Sequence, residues 1–167
     1  MVNIIVEISK YLMILLITMY TYHCFSIFGY YDPYDQKRIL RRQNALMFML
    51  HIVAFMVMYL QKDDMKILAF YVIQTILFAA TILLYQMLYP KSSRLVVNNM
   101  CMLLCIGMII LARLNYEKAV KQYLIAAGAV AISMAVPVII RKFKKLSEWR
   151  NLYAVAGIAS LAIVVVA

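Results

Sequence analysis

Residues 65–88, MKILAFYVIQTILFAATILLYQML, carry one charged side chain, Lys66, at their very start. A helix of that length is about 36 Å long, and a bilayer core of about 30 Å takes about 20 mainly apolar residues to cross. The stretch is too long for a buried strand and too uniformly apolar for a water-facing helix. It is bounded by turn formers: Gln61, Lys62, Asp63 and Asp64 before it, and Tyr89, Pro90, Lys91, Ser92, Ser93 and Arg94 after it. The sequence predicts a transmembrane helix here.

The same pattern recurs along the chain. Further spans are predicted at about Ile4–Phe28, Ala45–Leu60, Leu95–Ala112, Ala119–Ile140 and Leu152–Ala167. Of the 167 residues 66% are hydrophobic and 14% charged, against about 25% charged in soluble domains. A water-soluble protein of this composition would expose large apolar patches. The expected fold class is therefore all-α, a polytopic bundle of about six spans joined by short loops. The closing run Ala162–Ala167 has no polar anchor after it, and a span from Leu152 is only about 24 Å long. That end reads as a chain cut from something longer.

The formal charge of +10 would suggest nucleic acid in a soluble protein. Here membrane topology accounts for it, and no nucleic-acid partner is expected. The first loop carries Lys37, Arg38, Arg41 and Arg42; the third Lys91 and Arg94; the fifth Arg141, Lys142, Lys144, Lys145 and Arg150. The second loop has Lys62 with flanking Lys66, and the fourth Arg113, Lys118 and nearby Lys121. Cytoplasmic loops are enriched in Lys and Arg. The odd loops are expected inside and both termini outside.

No Gly-rich phosphate loop, metal-ligand cluster or nucleophile elbow is present. No catalytic, cofactor-binding or metal-binding residue is assigned, and no cofactor is expected. Ionisable groups inside a span are the usual mark of function, and they are few. Glu7 and Lys10 are spaced to pair on one helix face. His23 and His51 lie near the inner ends of the first two spans, where they could face each other. Asn98 and Asn99 are placed to tie helices together. Cys24, Cys101 and Cys105 form no disulfide framework. The last two, one turn apart, read as small residues at a helix contact rather than metal ligands. Gly107, Gly128 and Gly157 offer points for close helix approach.

From about Ser93 onward the chain resembles the SEDS family (shape, elongation, division and sporulation; FtsW/RodA/SpoVE-like). Residues 94–113, RLVVNNMCMLLCIGMIILAR, are similar to its first core helix, with the segment Ile106, Gly107, Met108, Ile109, Ile110. Ala119, Val120, Lys121 and Gln122 match an Ala-x-x-Gln helix start, with Gly128 a few residues on. Ile125 departs from the aromatic that the family often carries there. The resemblance implies two regions: residues 1–92, an N-terminal three-helix extension, and residues 93–167, the first three core helices of a truncated SEDS-like membrane domain.

It also implies a bacterial plasma-membrane protein of cell division or cell shape. Such a protein polymerises lipid II into peptidoglycan beside a transpeptidase partner. The family's essential acid lies in a later outer loop, so no catalytic residue is carried over and the chain is expected to be catalytically incomplete. The alternative is a complete small scaffold or transporter subunit without enzymatic activity. The expected partners are membrane lipid and, by resemblance, lipid II and a transpeptidase. The fourth and fifth spans, joined by a short loop, are expected to pack as an antiparallel hairpin.

Overall fold

A computed structural model describes residues 2–142, together with Ala154, Val155, Gly157 and Ile158. Among the described residues the secondary structure is helical throughout: α1 (Val2–Ser26), a single 3-10 turn (Ile27–Gly29), α2 (Pro33–Lys62), α3 (Met65–Leu88), α4 (Arg94–Leu114) and α5 (Tyr116–Lys142). Five of these helices are long and apolar enough to cross a membrane. Most of the expected sixth span lies outside the described residues. The chain forms two compact units, Met1–Ala127 and Gly128–Ala167.

Several helix boundaries differ from the sequence expectation by a few residues, and the start of α2 by twelve. The basic segment expected as a loop is helical, because α2 starts at Pro33 rather than near Ala45. Proline suits the first helical position, and the Asp32 carboxylate caps the helix by accepting from the Tyr34 N–H at 2.9 Å. The 30 residues of α2 span about 45 Å, longer than a bilayer core. In a helix that crosses a bilayer, its first turns, with Lys37, Arg38, Arg41 and Arg42, would extend past the core to the headgroups. At its other end Asp63 takes φ 48° in the left-handed region, a conformation that short polar side chains tolerate. Asp64 then caps α3 through the Lys66 N–H at 2.9 Å. Between α4 and α5 only Asn115 is non-helical. Its amide oxygen accepts from the Lys118 N–H at 3.0 Å, so one residue ends one helix and caps the next.

Helix α2 packs against α1, α3 and α4. One core cluster joins Leu16 and Tyr20 of α1, Met47 and Leu50 of α2, Phe78 and Ile82 of α3, and Cys101, Cys105 and Met108 of α4. A second, nearer the α2–α3 turn, joins Phe55 and Met58 to Ile67, Phe70, Ala112 and Ala119. Ala119, Cys101 and Cys105 are completely buried; small residues let helices approach closely where lipid leaves little hydrophobic drive for association. The outward positions are apolar as well: Ile14, Ile76, Leu83 and Leu103 are all exposed, as lipid-facing residues would be.

The α1–α2 and α3–α4 connections meet at one end of the bundle. Ile27, Tyr30 and Lys37 line a cavity of about 700 Å³ together with Pro90, Ser92 and Arg94. At the opposite end Lys10, Gln61 and Arg113 surround a small cavity.

The first half of α5 leans on α3. The Tyr116 hydroxyl donates to the Lys66 carbonyl at 3.3 Å and the Tyr123 hydroxyl to that of Ile73 at 3.4 Å. Phe70 meets both tyrosine rings edge-on. The expected α4–α5 hairpin is closest near its link, where Ala112 and Ala119 share a cluster, while Ala126 further along α5 joins the main core cluster. Further along, an open groove of about 540 Å³ appears, lined by Met100, Leu103, Leu104, Gly107 and Leu111 of α4 and by Gln122 of α5. A methyl group added at Gly107 would meet nothing within 4 Å, so this glycine borders open space and is not a point of close approach.

Single cysteines replacing Arg38 and Lys91 are expected to react with a membrane-impermeant thiol reagent from the same face of the bilayer. One at Asp63 should react only from the other face. Labelling of positions 38 and 91 from opposite faces would be incompatible with this arrangement.

Candidate functional site

Two buried polar networks lie among the helices, and both begin with amides inside apolar stretches. The first joins α1, α2 and α4. Asn98 Nδ2 donates to Gln43 Oε1 at 3.2 Å and to the Leu40 carbonyl at 3.2 Å. Gln43 Nε2 donates to Cys24 Sγ at 3.4 Å, and the Cys24 thiol donates to Asn99 Oδ1 at 3.2 Å. The Tyr20 hydroxyl donates to the same oxygen at 3.0 Å. The donors and acceptors alternate from Asn98 to Asn99. Gln43 is 0% exposed and Asn98 2%. An unpaired amide in such a place costs several kcal/mol in hydrocarbon, so each holds the others in register.

The second network ties α2 to α3. His51 is 0% exposed. Its Nε2 lies 3.0 Å from Gln74 Oε1 and its Nδ1 lies 3.3 Å from the Thr75 hydroxyl. Phe55, Tyr71 and Phe78 surround the ring, with centroids at 4.8, 4.9 and 5.5 Å. The Thr75 hydroxyl donates its hydrogen to the Tyr71 carbonyl at 2.9 Å, so toward His51 it accepts, and Nδ1 carries the proton. In a neutral ring Nε2 is then an acceptor, which calls for the Gln74 amide to present its nitrogen. Gln74 Nε2 is buried without a hydrogen-bond partner as placed. A half-turn of the amide brings that nitrogen to His51 and leaves the oxygen shielded instead.

The residues singled out from sequence are distributed as follows. Asn98 and Asn99 do tie helices, as their position suggested. Cys101 and Cys105 are buried in the main core cluster. Glu7 and Lys10 form an ion pair on the exposed face of α1, where such pairs contribute little. His23 and His51 are not brought together: His51 turns to α3, while the His23 ring lies against Tyr22 and its Nδ1 is buried without a partner. Gln43, Gln74 and Tyr20 were not identified from sequence. Gln74 carried a usable signal, since Ile67, Phe70, Gln74, Phe78 and Ile82 recur at helical spacing and all are buried.

No carboxylate joins either network among the described residues, and no group of three potential metal ligands is found among them. Comparison with known proteins finds no matching family model, no matching curated protein and no matching solved structure.

Two measurements check the networks. In a double-mutant cycle of Gln43→Leu and Asn98→Leu, the coupling should be about 1 kcal/mol, above the average of about 0.6 and below the maximum of about 1.7 found for such pairs in a membrane protein. No coupling would mean the pair is not formed. His51→Leu should destabilise by about 1–3 kcal/mol by stranding Gln74. Adding Gln74→Leu should recover part of that loss in thermal unfolding.

Proposed function

We propose that the chain is the N-terminal membrane portion of a SEDS-type glycosyltransferase, FtsW/RodA/SpoVE-like, acting in peptidoglycan synthesis during bacterial division or shape maintenance. It would lie in the plasma membrane with six spans and both termini outside. The observation that carries this reading is the resemblance of residues 94–113 and of Ala119–Gln122 to the first core helices of that family. The groove between α4 and α5 supports it physically. Leu103 and Ile110 on its rim are exposed and apolar, and Leu104, Gly107 and Gln122 line it. It opens sideways at helix mid-length, a form suited to the apolar chain of a lipid-linked substrate or to a helix of a transpeptidase partner. The commitment of the buried amides to helix ties favours a second reading, a small scaffold or transporter subunit without activity of its own.

The chain by itself is expected to be inactive. Glycosyl transfer needs a positioned acid or base and groups that stabilise charge on a leaving diphosphate. Asp63 and Asp64 lie in the tight turn between α2 and α3, where the Asp64 carboxylate caps α3, and Glu117 lies in the first turn of α5. Purified chain in lipid should yield no glycan polymer from lipid II above background. A reading frame that continues past the Ala167 codon into an acid-bearing outer loop, with polymerase activity in the longer product, is the expected result. A stop codon at that point selects the scaffold reading. Polymerisation by the chain alone, lost on Glu117→Ala or Asp64→Ala, would overturn its incompleteness.

A further inference from the structure

Three helices converge at the bundle end that holds the α1–α2 and α3–α4 connections. Lys37, Arg41 and Asn44 of α2, Gln86 of α3, and Arg94 and Asn98 of α4 line a cavity of about 260 Å³ there. Residues 37, 41 and 44 follow helical spacing, and so do 94 and 98, so each helix turns one face to the cavity. Lys37 and Arg94 also border the adjoining cavity of about 700 Å³, with Tyr30, Tyr31, Ser92 and Ser93. Neither lining includes a carboxylate, although Asp32 caps α2 and Asp35 lies in its first turn.

Three cations gathered without an acid repel one another. Bundles ordinarily spread such charges into water, but here they share a concave surface with three amides. Two further features point to a bound acceptor. The Asn44 side-chain oxygen is shielded from solvent and has no hydrogen-bond partner, and a half-turn of that amide would present a donor in its place. Ser93 precedes α4 without a side-chain bond to its first N–H groups, which leaves the positive end of the helix dipole uncancelled beside Arg94.

We propose that this cavity binds the phosphodiester headgroup of an anionic phospholipid. Lys37, Arg41 and Arg94 would meet the phosphate oxygens, and the larger cavity would take the rest of the headgroup beneath Tyr30 and Tyr31. The assignment to lipid rests on depth. With α2 crossing the bilayer, its 30 residues exceed the core by several turns, so its basic first turns would stand where phosphates lie, and basic pockets between spanning helices suit such headgroups. The proposal depends on the helices crossing a membrane and not on the family resemblance.

The test uses the full chain in zwitterionic phosphatidylcholine nanodiscs, with phosphatidylglycerol added and its retention measured by native mass spectrometry. Retention should fall about fivefold for each cation neutralised among Lys37→Gln, Arg41→Gln and Arg94→Gln. It should be unchanged by Lys66→Gln or Arg113→Gln at the other end of the bundle. Arg41 is exposed, so its variant reports on binding without disturbing the fold, and Arg94→Lys should retain most of the lipid. Equal losses from both ends, no loss in the triple variant, or displacement of the lipid by millimolar inorganic phosphate would overturn the proposal.

Discussion

In a bilayer the flanks of a helix are as apolar as the lipid, so greasy surface alone gives two helices no reason to meet. What selects partners is the cost of leaving a polar group alone in hydrocarbon. The chain of hydrogen bonds from Asn98 through Gln43 and Cys24 to Asn99 is the constraint from which this bundle's geometry follows. It fixes the rotation of α4 about its own axis, because two successive amides must serve two different neighbours, α2 and α1. With that rotation set, Cys101 and Cys105 come inward one and two turns later, and Leu103 and Ile110 are left facing out. The basic cavity is a product of the same rotation, since Arg94 lies one turn before Asn98.

His51 plays the corresponding part between α2 and α3. The aromatic rings around it are packed edge-on or tilted, arrangements that suit ring quadrupoles. The two polar ties sit at different heights along α2, at Gln43 and at His51, so α2 is pinned to neighbours on both sides. A helix held in this way is the natural centre of the unit. Helix α5, by contrast, is attached to α3 through tyrosine hydroxyls that reach carbonyls already engaged in helical bonds, and its separation from α4 opens the groove.

Much of the architecture was legible in the sequence because membrane spans are written in composition. The runs 65–88 and 95–112 were placed to within a residue or two of α3 and α4. The start of α2 was not, because hydropathy marks where a helix enters lipid and not where it begins. Asp32 and Pro33 formed a helix-start signal that the charge run after them obscured. The polar ties were half legible. Asn98 and Asn99 stand out as a pair in an apolar field, whereas Gln43 directly follows Arg41 and Arg42, in the stretch expected as a loop. The leaning of α5 on α3 was not readable at all, since a short link argues for neighbours in sequence and says nothing of which other helix α5 rests on.

The complete burial of Cys101 and Cys105 has a use beyond packing. A thiol reacts as thiolate and only when reagent can reach it, so these two are silent while α4 stays seated on α2. Their slow modification under native conditions would clock the rate at which that interface breathes, in the manner of amide hydrogen exchange. The bundle thus carries an intrinsic stopwatch for its own opening, one turn of helix tall, with no label to be introduced.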